Sequence, residues 1–149
     1  MVTRVLLTKY LTCILATITL TSAETFITKN TTWSNDITLS ESIIIQKNIT
    51  LTIKEGVNIS IENVDLNNDD HGDIEISVLG SINIEGSHEN MVSIKPIQYS
   101  LDKNYWSGVT IHESNIPSSI EFLEISNAQT GLHIRSAFRA RGLLIENCG

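Results

Sequence analysis

The stretch Ile49-Thr-Leu-Thr-Ile-Lys-Glu-Gly-Val-Asn-Ile-Ser-Ile61 decides the fold. In its first half Ile49, Leu51 and Ile53 alternate with Thr50 and Thr52. In its second half Val57, Ile59 and Ile61 alternate with Asn58 and Ser60. An apolar–polar period of two, carried by β-branched residues, is the pattern of a strand with one face buried. Gly56 separates the halves, where a tight corner calls for the positive φ that glycine adopts freely. The expected unit is two short strands hinged at a corner.

That unit recurs. Short apolar clusters fall at Ile37–Leu39, Ile43–Ile45, Ile49–Ile53, Val57–Ile61, Ile74–Val78, Ile82–Ile84, Val92–Ile94, Val109–Ile111, Ile120–Ile125, Leu132–Ile134 and Leu143–Ile145. Between them stand Gly56, Gly72, Gly80, Gly86, Gly108, Gly131 and Gly142, with many Asn, Asp and Ser. No window beyond residue 23 holds a helical period. Aromatic residues are 5% of the chain, so the core is expected to be aliphatic. At 149 residues there is length for one domain with a real core and hardly for two.

Residues 1–23 read differently. Arg4 and Lys9 precede the apolar run Leu11–Leu20, and the small residues Thr21, Ser22 and Ala23 follow. This is the three-part pattern of a secretory signal peptide, with cleavage after Ala23. The run is shorter than the roughly 20 apolar residues a membrane helix needs, so no stable membrane span is expected. Cleavage would remove Arg4 and Lys9, leaving 8 Lys and Arg against all 17 Asp and Glu, and net charge would pass from −7 to −9. Such an acidic chain disfavours nucleic acid and anionic membrane as partners. Cys13 would leave too, and Cys148 would remain either as a small packed residue or with a partner beyond Gly149.

Many short strands fit a sandwich, a barrel or a solenoid. The solenoid is favoured by a late repeat: Leu123-Glu-Ile-Ser-Asn-Ala128 aligns with Leu143-Leu-Ile-Glu-Asn-Cys148 at a spacing of 20 residues. It is also favoured by the want of Asn-Gly or Asp-Gly turns between alternating runs. Segment 24–36, with Phe26 and Trp33, is expected to be a leader or a cap over the first coil, and 37–149 the solenoid itself. The apolar strand just before Asn147-Cys148-Gly149 suggests a solenoid continuing past the given chain. Gly80 and Gly86 should bracket a strand as corners. Trp106 either folds over a coil edge, with Gly108 making room, or is core.

The blocks Leu51–Val57, Val78–Gly86 and Trp106–Ile111 resemble the opening of right-handed parallel β-helix proteins of the pectin-lyase-like superfamily. The resemblance runs from Trp33 to Gly149. It implies an all-β, right-handed parallel β-helix, and is closest in kind to the extracellular repeat proteins of that superfamily. Its motifs specify architecture rather than activity, since the superfamily holds lyases, hydrolases, adhesins and junction proteins.

The densest polar patch is Asp65-Leu-Asn-Asn-Asp-Asp-His-Gly-Asp73. Asp65, Asn67, Asp69, Asp70 and Asp73 make it a candidate Ca2+ loop, since calcium takes six to eight oxygens. The set is incomplete: the glycine comes late, and Ile76 stands where a closing glutamate belongs. The plain alternative is a solvated loop, with no cofactor. Asp69 and Asp70 also lack the strand placement that glycoside hydrolysis requires of its paired carboxylates. Arg135, Arg139 and Arg141 face no strand-borne acids in the pattern, and read as surface. His88, His112 and His133 are scattered, without metal-ligand spacing. No catalytic residue is therefore assigned. Asn30, Asn48 and Asn58 each begin an Asn-x-Ser/Thr sequon, a glycosylation acceptor in a eukaryotic secretory pathway. The reading is a secreted or cell-surface protein that acts by binding or adhesion to an extracellular protein or polysaccharide. The alternative is a polysaccharide lyase or glycoside hydrolase whose site lies past residue 149.

Overall fold

The structure, a computed structural model, describes residues 23–98 and 105–149. Apart from Ala23 at its expected cleavage point, the signal peptide lies outside the described residues, as does Cys13. Thirteen strands are present among the described residues. They are β1 (Glu24–Ile27), β2 (Thr31–Trp33), β3 (Ile37–Leu39), β4 (Ser42–Ile45), β5 (Thr50–Lys54), β6 (Asn58–Ile61), β7 (Glu75–Val78), β8 (Ser81–Glu85), β9 (Val92–Pro96), β10 (Trp106–Ile111), β11 (Ser118–Ser126), β12 (Ala128–Ile134) and β13 (Phe138–Glu146). Each of the eleven apolar clusters overlaps a strand of its own, with Ile49, Val57 and Ile74 standing just before β5, β6 and β7. Residues 24–36, expected as a leader or cap, hold β1 and β2.

All pairings are parallel. Three walls result. Wall A is the sheet β1-β4-β7-β10-β12. The second sheet runs β2-β5-β8-β11-β9-β6-β3 and turns back on itself at β11, so that it nearly closes. Its β2-β5-β8 limb is wall B and its β3-β6-β9 limb is wall C. The first half of β11 pairs with β8 and its second half with β9, while β13 lies along its whole length. The chain thus lays down five tiers: β1–β3, β4–β6, β7–β9, β10 with β11, and β12 with β13.

Registers explain the composition. On wall A, Ile43 pairs with Ile76, Ile76 with Val109, and Val109 with Leu132. On wall C, Ile59 stands between Ile37 and Ile94, and Ile125 continues the row from Ile94 to Ile145. Ile45, Ile53, Ile59, Ile61, Ile76, Ile94, Ile111 and Ile125 have no solvent exposure. Stiff β-branched side chains stack well on a pleated surface, and each one fully buried contributes about 1.5–3 kcal/mol. Trp106 is likewise wholly buried, and its Nε1–H donates to the Ser126 carbonyl at 3.0 Å. It is core rather than an edge cover. Trp33 packs against this core, whereas Phe26 is exposed.

Tier length varies while register holds, apart from a bulge between β10 and β12 where Gly108 pairs with Thr130 and Val109 with Leu132. The pairing Glu24–Ser42 spans 18 residues, Ile43–Ile76 spans 33, and Leu123–Leu143 spans 20. The extra length leaves the walls as loops, chiefly residues 62–74 between β6 and β7. Corners turn at positive φ: Gly56 at 73°, Phe122 at 48°, Asn127 at 55°, Gly142 at 65° and Asn147 at 52°.

Candidate functional site

Outward positions line up as strictly as inward ones. On wall B, Thr32 pairs with Thr52, Thr52 with Asn83, Asn83 with Ser119, and Ser119 with Arg139. This row of three hydroxyls, an amide and a guanidinium crosses all five tiers, at about 4.8 Å per step. Beside it runs a charged row. Lys54 pairs with Glu85, Glu85 with Glu121, and Glu121 with Arg141. Lys54 Nζ reaches Glu85 Oε2 at 2.5 Å, with both side chains nearly half exposed. An exposed pair of this kind contributes about 0–1 kcal/mol, so its effect is mainly to set surface pattern.

Wall C carries a polar relay. Asp36 Oδ1 accepts the Asn58 backbone N–H at 2.8 Å and the Asn58 side-chain N–H at 3.2 Å. Asn58 Oδ1 in turn accepts the Ser93 hydroxyl at 2.7 Å. The sequon asparagine is thereby built into the contact between three tiers. Asn30, exposed, accepts the Thr50 N–H through Oδ1 at 2.9 Å. Asn48, also exposed, turns a corner with φ 64°.

The calcium candidates share one loop, and its acceptors already serve the loop's own backbone. Asp65 Oδ1 accepts the Asp69 N–H at 3.2 Å, and Oδ2 accepts that of Asp70 at 3.0 Å. Asn67 Oδ1 also accepts the Asp69 N–H, at 3.0 Å, and its side-chain N–H donates to Asp69 Oδ2 at 3.0 Å. Asp69 Oδ1 accepts the His71 N–H at 2.9 Å, and Asp73 Oδ2 that of Leu66 at 2.6 Å. Nested Asx turns of this kind shape a protruding loop without help from a metal. Among the described residues no group of three or more His, Cys, Asp or Glu is arranged to hold a metal ion. Asp73 and Glu75, with Glu24, Ser42, Leu66 and Ser77, line an open cleft of about 470 Å³ on the outside of wall A.

The histidines are dispersed. His88 meets the Phe122 ring edge-on at 6.2 Å, His112 Nε2 lies 3.0 Å from Ser77 Oγ, and His133 is exposed on β12. Of the arginines, Arg141 places its guanidinium 5.2 Å from the centre of the Phe122 ring, and all three are exposed. Sequence reasoning passed over Phe122. The adjacent apolar pair Phe122-Leu123, which breaks the period of two inside Ile120–Ile125, is the signal that marks a corner there.

Among the described residues no helix is long and apolar enough to cross a membrane. Set against protein-family models, curated proteins and solved structures, the chain gives no significant match.

Proposed function

We propose that the chain is part of a secreted or cell-surface parallel β-helix protein of the pectin-lyase-like kind, and that it acts by binding or adhesion. The observation that carries this reading is the Thr32–Thr52–Asn83–Ser119–Arg139 row on wall B. Parallel in-register strands present hydroxyl, amide and guanidinium groups at a fixed repeat along one flat face. A repeating extracellular polymer is the natural complement, because weak contacts at one repeat are multiplied along the chain without new chemistry. Hydroxyl and amide groups favour a polysaccharide over a protein partner, since both donate to and accept from sugar hydroxyls. The signal peptide pattern of residues 1–23 supports an extracellular location.

The test is retention of the purified chain on immobilised polysaccharides, with assay of the supernatant for new reducing or unsaturated ends. Retention that Asn83→Lys abolishes, without product release, is the expected result. Products released at a rate above background would overturn the binding reading in favour of a lyase or hydrolase. Retention only on extracellular protein would overturn the choice of polysaccharide.

A further inference from the structure

Two outward rows cross the first tiers of wall A. In one, Glu24 pairs with Ser42, whose Oγ accepts the Glu75 N–H at 3.0 Å. In the other, Phe26 pairs with Ile44, and Ile44 with Ser77. Phe26 is 51% exposed although it lies on a strand, and Ile44 beside it is only half-buried. The loop after β6 closes one side. There the Leu66 N–H donates to Asp73 Oδ2 at 2.6 Å, and Leu66 lines the cleft of about 470 Å³ together with Ile44, Glu24 and Glu75. A smaller hollow of about 190 Å³ shares Ser42, Leu66 and Asp73 with it and adds Glu41 and Val64.

The floor is thus apolar and the rim acidic. Glu24, Glu41, Asp73 and Glu75 stand around Ile44, Val64 and Leu66, and no Lys or Arg lines either hollow. None of these carboxylates joins an ion pair: among the described residues the ion pairs are Lys54–Glu85 and His88–Glu89. Cleavage after Ala23, which lines the smaller hollow, would bring one ammonium to a rim of four carboxylates. Glu41, Asp73 and Glu75 are half-buried, so water and salt screen them less than at an open surface. Such a rim repels a polyanion, and a bare polyamine leaves the floor uncovered. A protein segment that carries cationic and apolar side chains together satisfies both.

We propose that this cleft binds an extended basic segment of another protein, with its cations on Glu24 and Glu75 and an apolar side chain over Ile44 and Leu66. Glu24 belongs to the first tier and Glu75 to the third, so about 9.6 Å of stack separates them at 4.8 Å per step. A polyproline II chain turns the same way every three residues, after about 9 Å. The spacing Arg-x-x-Arg therefore sets one guanidinium at each carboxylate, which accepts two parallel N–H bonds from its fork. The residue before the second arginine is left to reach the floor. The cleft lies on a different wall from the Thr32–Arg139 row, and it stands whether or not that row binds a polymer.

Titration calorimetry at low salt tests this on the purified chain with three end-blocked hexapeptides: Arg-Pro-Leu-Arg-Pro-Leu, Glu-Pro-Leu-Glu-Pro-Leu and Arg-Pro-Ser-Arg-Pro-Ser. The first is expected to bind about tenfold or more tightly than either of the others. The double variant Glu24→Gln, Glu75→Gln should weaken it by about tenfold or more. Phe26→Ser, at an exposed position outside the core, should weaken it by about threefold or more. Glu121→Gln, a carboxylate on wall B, should leave it within about twofold. No binding of the first peptide, equal binding of the acidic one, or an unchanged affinity in the double variant would overturn the proposal. Equal binding of the serine peptide would overturn it too, by reducing the cleft to a cation patch without an apolar anchor.

Discussion

The Phe122 ring fills the space that a side chain on Gly142 would need. The two residues occupy matching corners of β11 and β13, between the pairs Glu121–Arg141 and Leu123–Leu143. Both turn at positive φ, which glycine tolerates and a bulky L-residue does not. Phe122 therefore carries backbone strain of about 1–2 kcal/mol, partly offset by the Arg141 guanidinium over its ring.

A double-mutant cycle reads this coupling. Gly142→Ala is expected to cost about 2–3 kcal/mol of unfolding free energy, from both clash and φ. In a Phe122→Gly background the clash is gone, and the same change should cost about 1 kcal/mol less. Urea unfolding measures each corner of the cycle. Additivity of the two changes would mean the ring and the glycine act independently.

Trp106 supplies a second prediction. Trp106→Phe keeps an aromatic core but strands the Ser126 carbonyl, which the indole N–H now satisfies at 3.0 Å. The expected loss is about 1–3 kcal/mol, against about 3–5 kcal/mol for Trp106→Ala. Chemical denaturation with circular dichroism readout distinguishes the two. Equal losses would show that the hydrogen bond contributes nothing.

The loop at Asp65–Asp73 gives a third. Asp65→Ala removes the acceptor of the Asp70 N–H, while the Asp69 N–H keeps Asn67 Oδ1. Amide exchange at Asp70 should accelerate by roughly tenfold or more, and at Asp69 by less, while strand amides stay protected. Millimolar calcium should leave the melting temperature of the parent chain unchanged, because among the described residues no three acidic or other ligating side chains are arranged to hold an ion. A melt raised by calcium and lowered again by chelator would instead restore the oxygen cluster as a metal loop.

A fourth concerns the edge strand β13. Leu143, Leu144 and Ile145 are 37%, 41% and 42% exposed on a strand paired only with β11. Unpaired N–H and C=O groups beside apolar side chains invite pairing with another chain. The 149-residue chain is expected to associate at micromolar concentration, and Leu144→Lys, on an outward position opposite Glu124, should reduce it. Light scattering across a dilution series reports the difference.

Strand positions were legible because burial writes itself as alternation. Ile49–Ile61 predicted β5, the Gly56 corner and β6, and the 20-residue repeat predicted the pairing of Leu123 with Leu143. β1 was not legible, since Glu24, Thr25 and Phe26 are exposed and only Ile27 is buried, which leaves no period to see. Nor was β11 as one strand spanning two walls, because its corner residue is a phenylalanine rather than a glycine. The candidate sites were less legible still. A cleft such as that around Glu24 and Glu75 joins residues 51 positions apart, through a register that only the stacked backbone defines. The Asp65–Asp73 cluster was conspicuous as a string of letters, whereas the backbone N–H groups that its Asp65, Asn67, Asp69 and Asp73 oxygens accept were not.

Tiers of 18 and 33 residues share one register in this fold. The spacing between walls is thus a rigid quantity, while the contour length between them is a free one. Residues 62–74 act as an insertion port: foreign sequence grafted there would be displayed outside the stack without altering the rise from one tier to the next. A lineage of such chains can diversify in its loops while its rows of outward groups keep step, like the fixed divisions of a ruler.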